Sequence, residues 1–507
     1  MTTVPMSVQD SLWLTMDRPN NLMVVDGAMV LGTQPSLAAV REVYADAVER
    51  FPVFARKPVP AGNGWAWQDD PDFDLDRHIE HLQLDEPMDI RGLQAFLAEI
   101  RTSPLPKDRP LWKAYLVSPL VLTDGRHGAA LVSRFHHSIA DGVRLTQVLL
   151  GMCETDDAAV AAVVSRKAAS REHGAEEGDS IATIALHAAG EATSAVGHGV
   201  ADLVAGAAHA VRHPLHTIAD TPHLASSAVR AGLQGVGGSV DLLRHPDRLL
   251  DALDVLGVEN YRGTNDLSSV TKLALADSEE TIWSGVPGTV KAVAWSEPIP
   301  LESIKAVGRA ADATVNDVLL AAVAGGLRRY LQQRGTSVDE VIWMVPVNLK
   351  PFEDNLPPDL GNYFALVFVP MPLDTAGTED RLAQMHHRMQ RIKNSDEAVL
   401  TFGLQRLVSQ SPSQVAFFLT NFFANKAVGV LTNVPGPKAP MTFAGAPVHQ
   451  LVGFAPCSGN QPMTTTIFSY NGGVTVGFAS DAGLVPDPDV LAALVVDDLV
   501  EMGVDLG

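Results

Sequence analysis

The residues with the clearest capacity for chemistry are His136-His137-Ser138-Ile139-Ala140-Asp141-Gly142. A neutral imidazole at cellular pH can take the proton of a weakly acidic hydroxyl as that hydroxyl attacks, so general-base chemistry is within reach of this motif. Neighbouring side chains on an extended chain point to opposite sides, so only one histidine can face a given cavity. His137 takes the catalytic role, with His136, Asp141 and Gly142 as its companions. Asp141 could orient the imidazole, cap the following helix or pair with a distant arginine, and a structural role is favoured. Gly142 would let the backbone turn tightly or approach the site closely. His137 and Asp141 alone make two candidate metal ligands without a third, so no metal is expected. The competing view is that paired histidines arise by chance. His386-His387, in the polar helical stretch Arg381 to Ile392, reads as such a surface pair.

The elements around the motif are arranged to hold it. Ala129, Leu131, Ser133 and Phe135 alternate with Ala130, Val132 and Arg134, which predicts a strand ending at the histidines. Leu145, Val148, Leu149 and Met152 then predict a helix. A strand is expected over Leu22 to Leu31 and a helix over Ser36 to Phe51. From Ala292 onward, helices are expected at Ser303 to Arg309 and Val315 to Leu331, and strands at Val341 to Val347 and Tyr363 to Val369. Between these halves the texture turns to Ala, Gly, His, Ser and Asp. The expected division is an N-terminal half over 1–153, a helical connector over 154–290 and a C-terminal half over 291–507. The connector reads either as a linker lying across two domains or a membrane surface, or as an ordinary surface insertion.

At 507 residues the chain exceeds what one hydrophobic core serves, so two substantial domains are expected. Hydrophobic residues at 46% and charged residues at 19% exclude a mostly disordered chain. A formal charge of -22 and no block of Lys and Arg argue against nucleic acid. Cys153 and Cys457 stand far apart, which offers neither a disulfide framework nor a zinc site and suits a reducing cytoplasm. Met1 to Asp10 does not read as a secretory signal, and no apolar run has the ~20 residues of a membrane-spanning helix. Membrane contact is therefore expected to be peripheral.

His-His-x-x-x-Asp-Gly resembles the active-site signature of the bacterial wax ester synthase/diacylglycerol acyltransferase family, and the resemblance runs from end to end. Asp10-Ser11-Leu12-Trp13-Leu14, Phe51-Pro52 and Arg109-Pro110-Leu111-Trp112 precede the motif in the family's order. Thr314-Val315-Asn316-Asp317-Val318-Leu319 with Gly326-Leu327-Arg328, Leu360-Gly361-Asn362, Thr432 to Pro437 and Ser469-Tyr470-Asn471-Gly472 follow it. There are departures. Trp283-Ser284-Gly285 and Lys291 stand where the family usually carries Asn-Gly and Arg, and Lys350 stands where Arg is usual, so arginine pairings inferred by analogy do not transfer.

The resemblance implies an α/β fold of two chloramphenicol acetyltransferase-like, condensation-domain-like halves with a substrate tunnel between them. It implies that His137 is the general base, that acyl-coenzyme A is a co-substrate with no further cofactor, and that diacylglycerol or a long-chain alcohol is acylated. Asn316 and Asp317 match the family's Asn-Asp pair, read either as polarising a group at the site or as a plain helix cap. Trp112 is expected in the tunnel wall or the interior, and Thr432 to Pro437 as a rigid loop bracing the gap between halves. The implied location is cytoplasmic, peripheral to the inner face of the membrane or to lipid droplets. Val415 to Val430, with Phe417, Phe418, Leu419, Phe422 and Phe423, is either a docking surface or core. No pattern sets an oligomeric state. Two other readings are a condensation-type enzyme fed by a carrier protein, which a free-standing chain counts against, and a silent lipid-binding paralogue.

Overall fold

The structure, a computed structural model, describes residues 2–62, 64–155, 279–348, 356–362, 364–393, 420–421 and 423–507. Most of the expected connector, Lys350, Phe417, Phe418, Leu419 and Phe422 lie outside the described residues.

The alternation before the histidines makes a strand buried on both faces. β7 (His127–His136) pairs antiparallel with β6 (Trp112–Val121) on one side and with β2 (Val24–Leu31) on the other. Ala129, Leu131 and Phe135 enter a core shared with Val40 and Tyr44 of α2 (Leu37–Arg50) and Leu145 and Val148 of α4 (Gly142–Gly151). Ala130 and Val132 enter a second core with Leu93 and Leu97 of α3 (Ile90–Ile100). Period-2 alternation thus sorts one strand into two cores. Arg134 is buried within it because Asp26 of β2 lies 2.7 Å away; the same carboxylate accepts a second bond from Arg101 at 2.7 Å.

The sheet containing β7 draws on distant sequence. Its order is β5 (Ile79–Met88), β6, β7, β2, β15 (Ala446–Phe454), β14 (Met441–Phe443) and β8 (Glu154–Thr155). β15 pairs along β2 from Val448↔Leu31 to Phe454↔Asp26, so residues numbered with the C-terminal half complete the N-terminal sheet. A small sheet of β1 (Thr3–Pro5), β4 (Gly64–Asp69) and β3 (Arg56–Ala61) flanks α1 (Val8–Met16).

Among the described residues a second seven-stranded sheet comprises β10 (Ile299–Pro300), β17 (Gly473–Asp481), β16 (Met463–Tyr470), β13 (Gly429–Pro435), β11 (Glu340–Asn348) and β12 (Phe364–Pro372), with β9 (Lys291–Trp295) on β17. α5 (Leu301–Ala310), α6 (Val315–Gln333), α7 (Thr378–Lys393) and α8 (Pro488–Glu501) cover one face. The expected Thr432 to Pro437 loop is corrected here: residues through Pro435 are strand, paired in parallel with β16, and only Gly436 and Pro437 turn away. Glycine permits the close approach of α6 to α8, since a Cβ on Gly325 would sit 2.2 Å from Asp498 Oδ1. Asp498, fully buried, receives the Arg381 guanidinium at 2.6 Å. No single helix among the described residues is long and apolar enough to cross a membrane. The two sheet-rich halves, with helices on their outer faces, match the expected α/β architecture.

Candidate active site

The open face of the second sheet faces the end of β7, and between them lies a cavity of about 200 Å³. Alternation on three adjacent strands gives it an apolar wall: Met344 and Pro346 of β11, Phe364, Leu366 and Phe368 of β12, and Val430 and Val434 of β13. Leu12, Trp13 and Met16 of α1 cover another side. Polar side chains in the lining are fewer: His137, Asp141 and Thr146 lie close together in sequence, Gln9 comes from α1, Thr432 and Asn433 from β13, and Thr420 and Ser458 complete the set. Such a lining accepts a long apolar chain and orients one polar group.

The pairing pattern separates the two histidines as alternation requires. His136 still pairs with Val24, and its side chain turns away from the cavity. Its Nδ1 accepts from the Ser138 backbone N–H at 3.1 Å, and its Nε2 lies 3.8 Å from Asp17. Burial would raise the Asp17 carboxyl, but hydrogen bonding and charge from His136, with the Met23 N–H bond, hold it below its ordinary range. His136 is therefore a support behind the site. His137 follows the strand, its backbone N–H donating to Met23 O at 2.8 Å, and its ring lines the cavity. The Trp13 ring lies against it, tilted by 31° with centroids 4.1 Å apart, and the Phe364 ring lies 5.7 Å away. Only 7% of the residue is exposed, and this burial pushes its imidazole down to about 4. A histidine so placed is neutral at cellular pH and able to accept a proton.

Asp141 is the N-cap of α4, accepting from the Arg144 backbone N–H at 2.9 Å, which agrees with the structural role favoured for it. Gly142 and Val143 bring the start of α4 to the cavity wall. The tight-turn reading of Gly142 is corrected, because its φ is not in the left-handed region and a Cβ there would meet nothing within 4 Å. Glycine instead keeps space open at the wall. Asn316 and Asp317 sit in the first turn of α6. Asp317 forms a capping box with Thr314, and Asn316 Oδ1 accepts from Asn433 Nδ2 at 2.8 Å. Asn316 thus reaches the cavity through Asn433. Trp112 lies in the interior, donating from Nε1 to Phe54 O at 2.8 Å and stacking between His78 and Tyr44.

Three contacts escaped sequence reasoning. Asn362 of the Leu-Gly-Asn landmark reaches across from the second half, and its Nδ2 donates to Asp10 Oδ1 at 2.7 Å and to His137 O at 2.9 Å. Trp13 covers the imidazole. The surface reading of His386 is corrected: its Nδ1 lies 2.8 Å from Asp317 Oδ2, while His387 is exposed. Lys291 pairs with Asp481 at 3.1 Å. The landmarks flagged Asn362 and Trp13 as positions, but spacing says nothing of contacts between residues 352 apart.

Two family models match this chain: the wax ester synthase/diacylglycerol acyltransferase catalytic domain over residues 6–237 and the WS/DGAT C-terminal domain over residues 360–503. Together they span the greater part of it. The chain belongs to the wax ester synthase/diacylglycerol acyltransferase family. It is an acyltransferase. A probable diacylglycerol O-acyltransferase of Mycobacterium tuberculosis is 24% identical over 86% of this acyltransferase and 81% of its own length. Another from the same species is 25% identical over 98% of each chain. Among solved structures, a wax ester synthase/diacylglycerol acyltransferase from Marinobacter aquaeolei has the same fold, with a TM-score of 0.62, 19% identity and 98% of each chain covered. The first condensation domain of the calcium-dependent antibiotic synthetase matches with a TM-score of 0.52 and 14% identity over 100% of this chain and 97% of its own. The expected relation to condensation domains therefore holds at the level of fold.

Proposed function

We propose that this acyltransferase moves a fatty acyl group from acyl-coenzyme A to the hydroxyl of diacylglycerol, and also to long-chain alcohols, with His137 as general base. The observation that carries the reading is a buried, neutral imidazole at the polar end of an otherwise apolar cavity. The alcohol gives its proton to the imidazole as its oxygen bonds to the thioester carbonyl carbon. Collapse of the tetrahedral intermediate breaks the C–S bond, and the departing thiolate takes the proton back from the imidazolium. Ester and free thiol result, and the histidine is restored. No acyl-enzyme is needed, because the base serves both proton transfers. The names of the mycobacterial relatives support diacylglycerol as acceptor, and the Marinobacter protein's name supports linear alcohols as well.

Both acceptors reside in bilayers or droplets, so the protein works at the cytoplasmic face of the membrane or at a droplet surface in this proposal. The test is release of coenzyme A from palmitoyl-coenzyme A with diacylglycerol or hexadecanol added separately, comparing wild type with His137→Ala. Wild-type release that falls ~100-fold or more in the variant is the expected result, the better acceptor naming the main product. A His137→Ala enzyme of undiminished rate would refute the general base. No release with either acceptor would overturn the donor or acceptor assignment.

A further inference from the structure

The register of β11 and β12 turns the apolar wall of the cavity into a graded surface. On β12 the residues that line it are Phe364, Leu366 and Phe368, while Val367 and Val369 enter the core beneath the helices. On β11 Pro346 stands opposite Leu366 and Met344 opposite Phe368. Chemistry fixes one end of this series, because the Phe364 ring lies 5.7 Å from the His137 ring. Packing fixes the other. Met344 and Phe368 also belong to a separate buried cluster with Ile342, Ala424 and Ala427. Met344 is tethered there by Gln461, itself buried, whose Nε2 donates to Met344 Sδ at 3.0 Å and to the Ala424 carbonyl at 3.0 Å. Gln461 Oε1 accepts from the Ser458 backbone N–H at 3.0 Å. Methionine is the most adaptable of core side chains, so a tether on its sulfur makes a firm stop.

Phe368 lies four residues beyond Phe364 on β12, a run of about 13 Å. An alkyl chain with staggered torsions advances roughly 1.25 Å per carbon, so this run matches about ten methylenes. We propose that the pair Met344 and Phe368 is the specificity-determining floor of the site, gauging the length of the acyl chain whose thioester carbonyl lies at His137. The acyl donor brings one unbranched chain, which suits a straight series of side chains along one strand pair. Diacylglycerol spreads two chains from one glycerol and does not. Up to the floor, each further methylene leaves water for apolar side chains and adds about fourfold in affinity. A longer chain must bend or leave carbons outside, and gains nothing more.

This inference rests on the reading of His137 as the reacting end of the cavity, so its first readout is binding rather than turnover. Saturated fatty acids from octanoate to stearate are titrated into the full-length protein in competition with an environment-sensitive fluorescent fatty acid. Affinity should climb about fourfold per carbon and then level off. Phe368→Ala should move that break to chains roughly three to four carbons longer, the reach of the ring removed. Leu366→Trp, two residues nearer His137, should move it about five carbons shorter. A break that stays in place in folded Phe368→Ala protein, or affinity that climbs without a break through stearate, would overturn the proposal. Phe368→Leu keeps the cluster filled should the alanine variant fail to fold, and its break should move by about one to two carbons. Turnover then separates donor from acceptor. With hexadecanol fixed, the preferred acyl-coenzyme A of Phe368→Ala should lengthen; a lengthened alcohol preference at fixed palmitoyl-coenzyme A would put the acceptor on this wall instead and sink the assignment. Failure of the general-base reading looks different, as an active His137→Ala enzyme in a protein whose binding break still moves with Phe368→Ala.

Discussion

Lowering the pH should separate catalysis from stability in a way set by the burial of His137. Its imidazole is pushed down to about 4, against ~6.5 in an unfolded chain. At pH 5.5 the buried base is ~97% neutral, whereas an ordinary histidine would be ~10% neutral. The acid limb of kcat/KM should therefore fall near pH 4, with activity at pH 5.5 close to that at pH 7. Stability changes in the opposite region. A folded-state value below the unfolded one means the unfolded chain binds the proton more tightly, so stability is complete above about 6.5 and is lost as the pH falls towards the folded value. Between pH 8 and pH 5 this amounts to about 2 kcal/mol from His137. His136, also depressed by burial, acts in the same direction. Denaturant midpoints of wild type and His137→Leu at the two pH values isolate the His137 share, and the variant should lose about 2 kcal/mol less. An acid limb at pH 6 to 7, together with identical pH dependence of the two midpoints, would refute the reasoning.

Other consequences can be measured directly. Asp498→Ala strands the buried Arg381 guanidinium, neither residue lining the cavity, and should lower stability by about 3–5 kcal/mol in a denaturant titration. Trp112→Phe removes the bond to Phe54 O and should cost about 1 kcal/mol with kcat/KM unchanged within ~2-fold, since the indole lies in the interior. A large loss of activity in a stable Trp112→Phe enzyme would return that residue to the substrate path. Leu366→Trp narrows the apolar wall and should shift the acyl-chain preference in the coenzyme A release assay towards shorter donors, leaving turnover with the shortest ones largely intact.

The sequence made the centre of the site legible because it is local. Seven residues from His136 to Gly142 contain the proposed base, the end of its strand and the cap of the next helix, and short-range alternation dictates which imidazole faces the cavity. Most element types followed from the same periodicities, including β7 and α6. Pairing across long sequence gaps was not legible. Nothing local in Ala446–Phe454 says that its partner is β2 rather than a neighbour in sequence. His386 looked like a chance pair because its partner, Asp317, is 69 residues away. Thr432 to Pro437 was misjudged because its Pro-Gly-Pro end outweighs the β-branched residues before it, which parallel pairing with β16 fixes as strand.

The strand that crosses from the late sequence into the first sheet also sets the order in which the molecule can assemble. β2 carries the histidine strand, β7, on one edge and needs β15 on the other. During synthesis at about 5–20 residues per second, the interval between emergence of His136 and of Ala446 is roughly 15 to 60 seconds. Throughout that time the nascent first half presents the apolar run Val24–Leu31 as an unpaired edge, the kind of surface that recruits foreign strands or chaperones. The proposed base, His137, is made early, yet its sheet closes only when some nine-tenths of the chain has left the ribosome. A truncation ending before residue 446 would therefore leave a sticky fragment rather than a minimal catalytic domain.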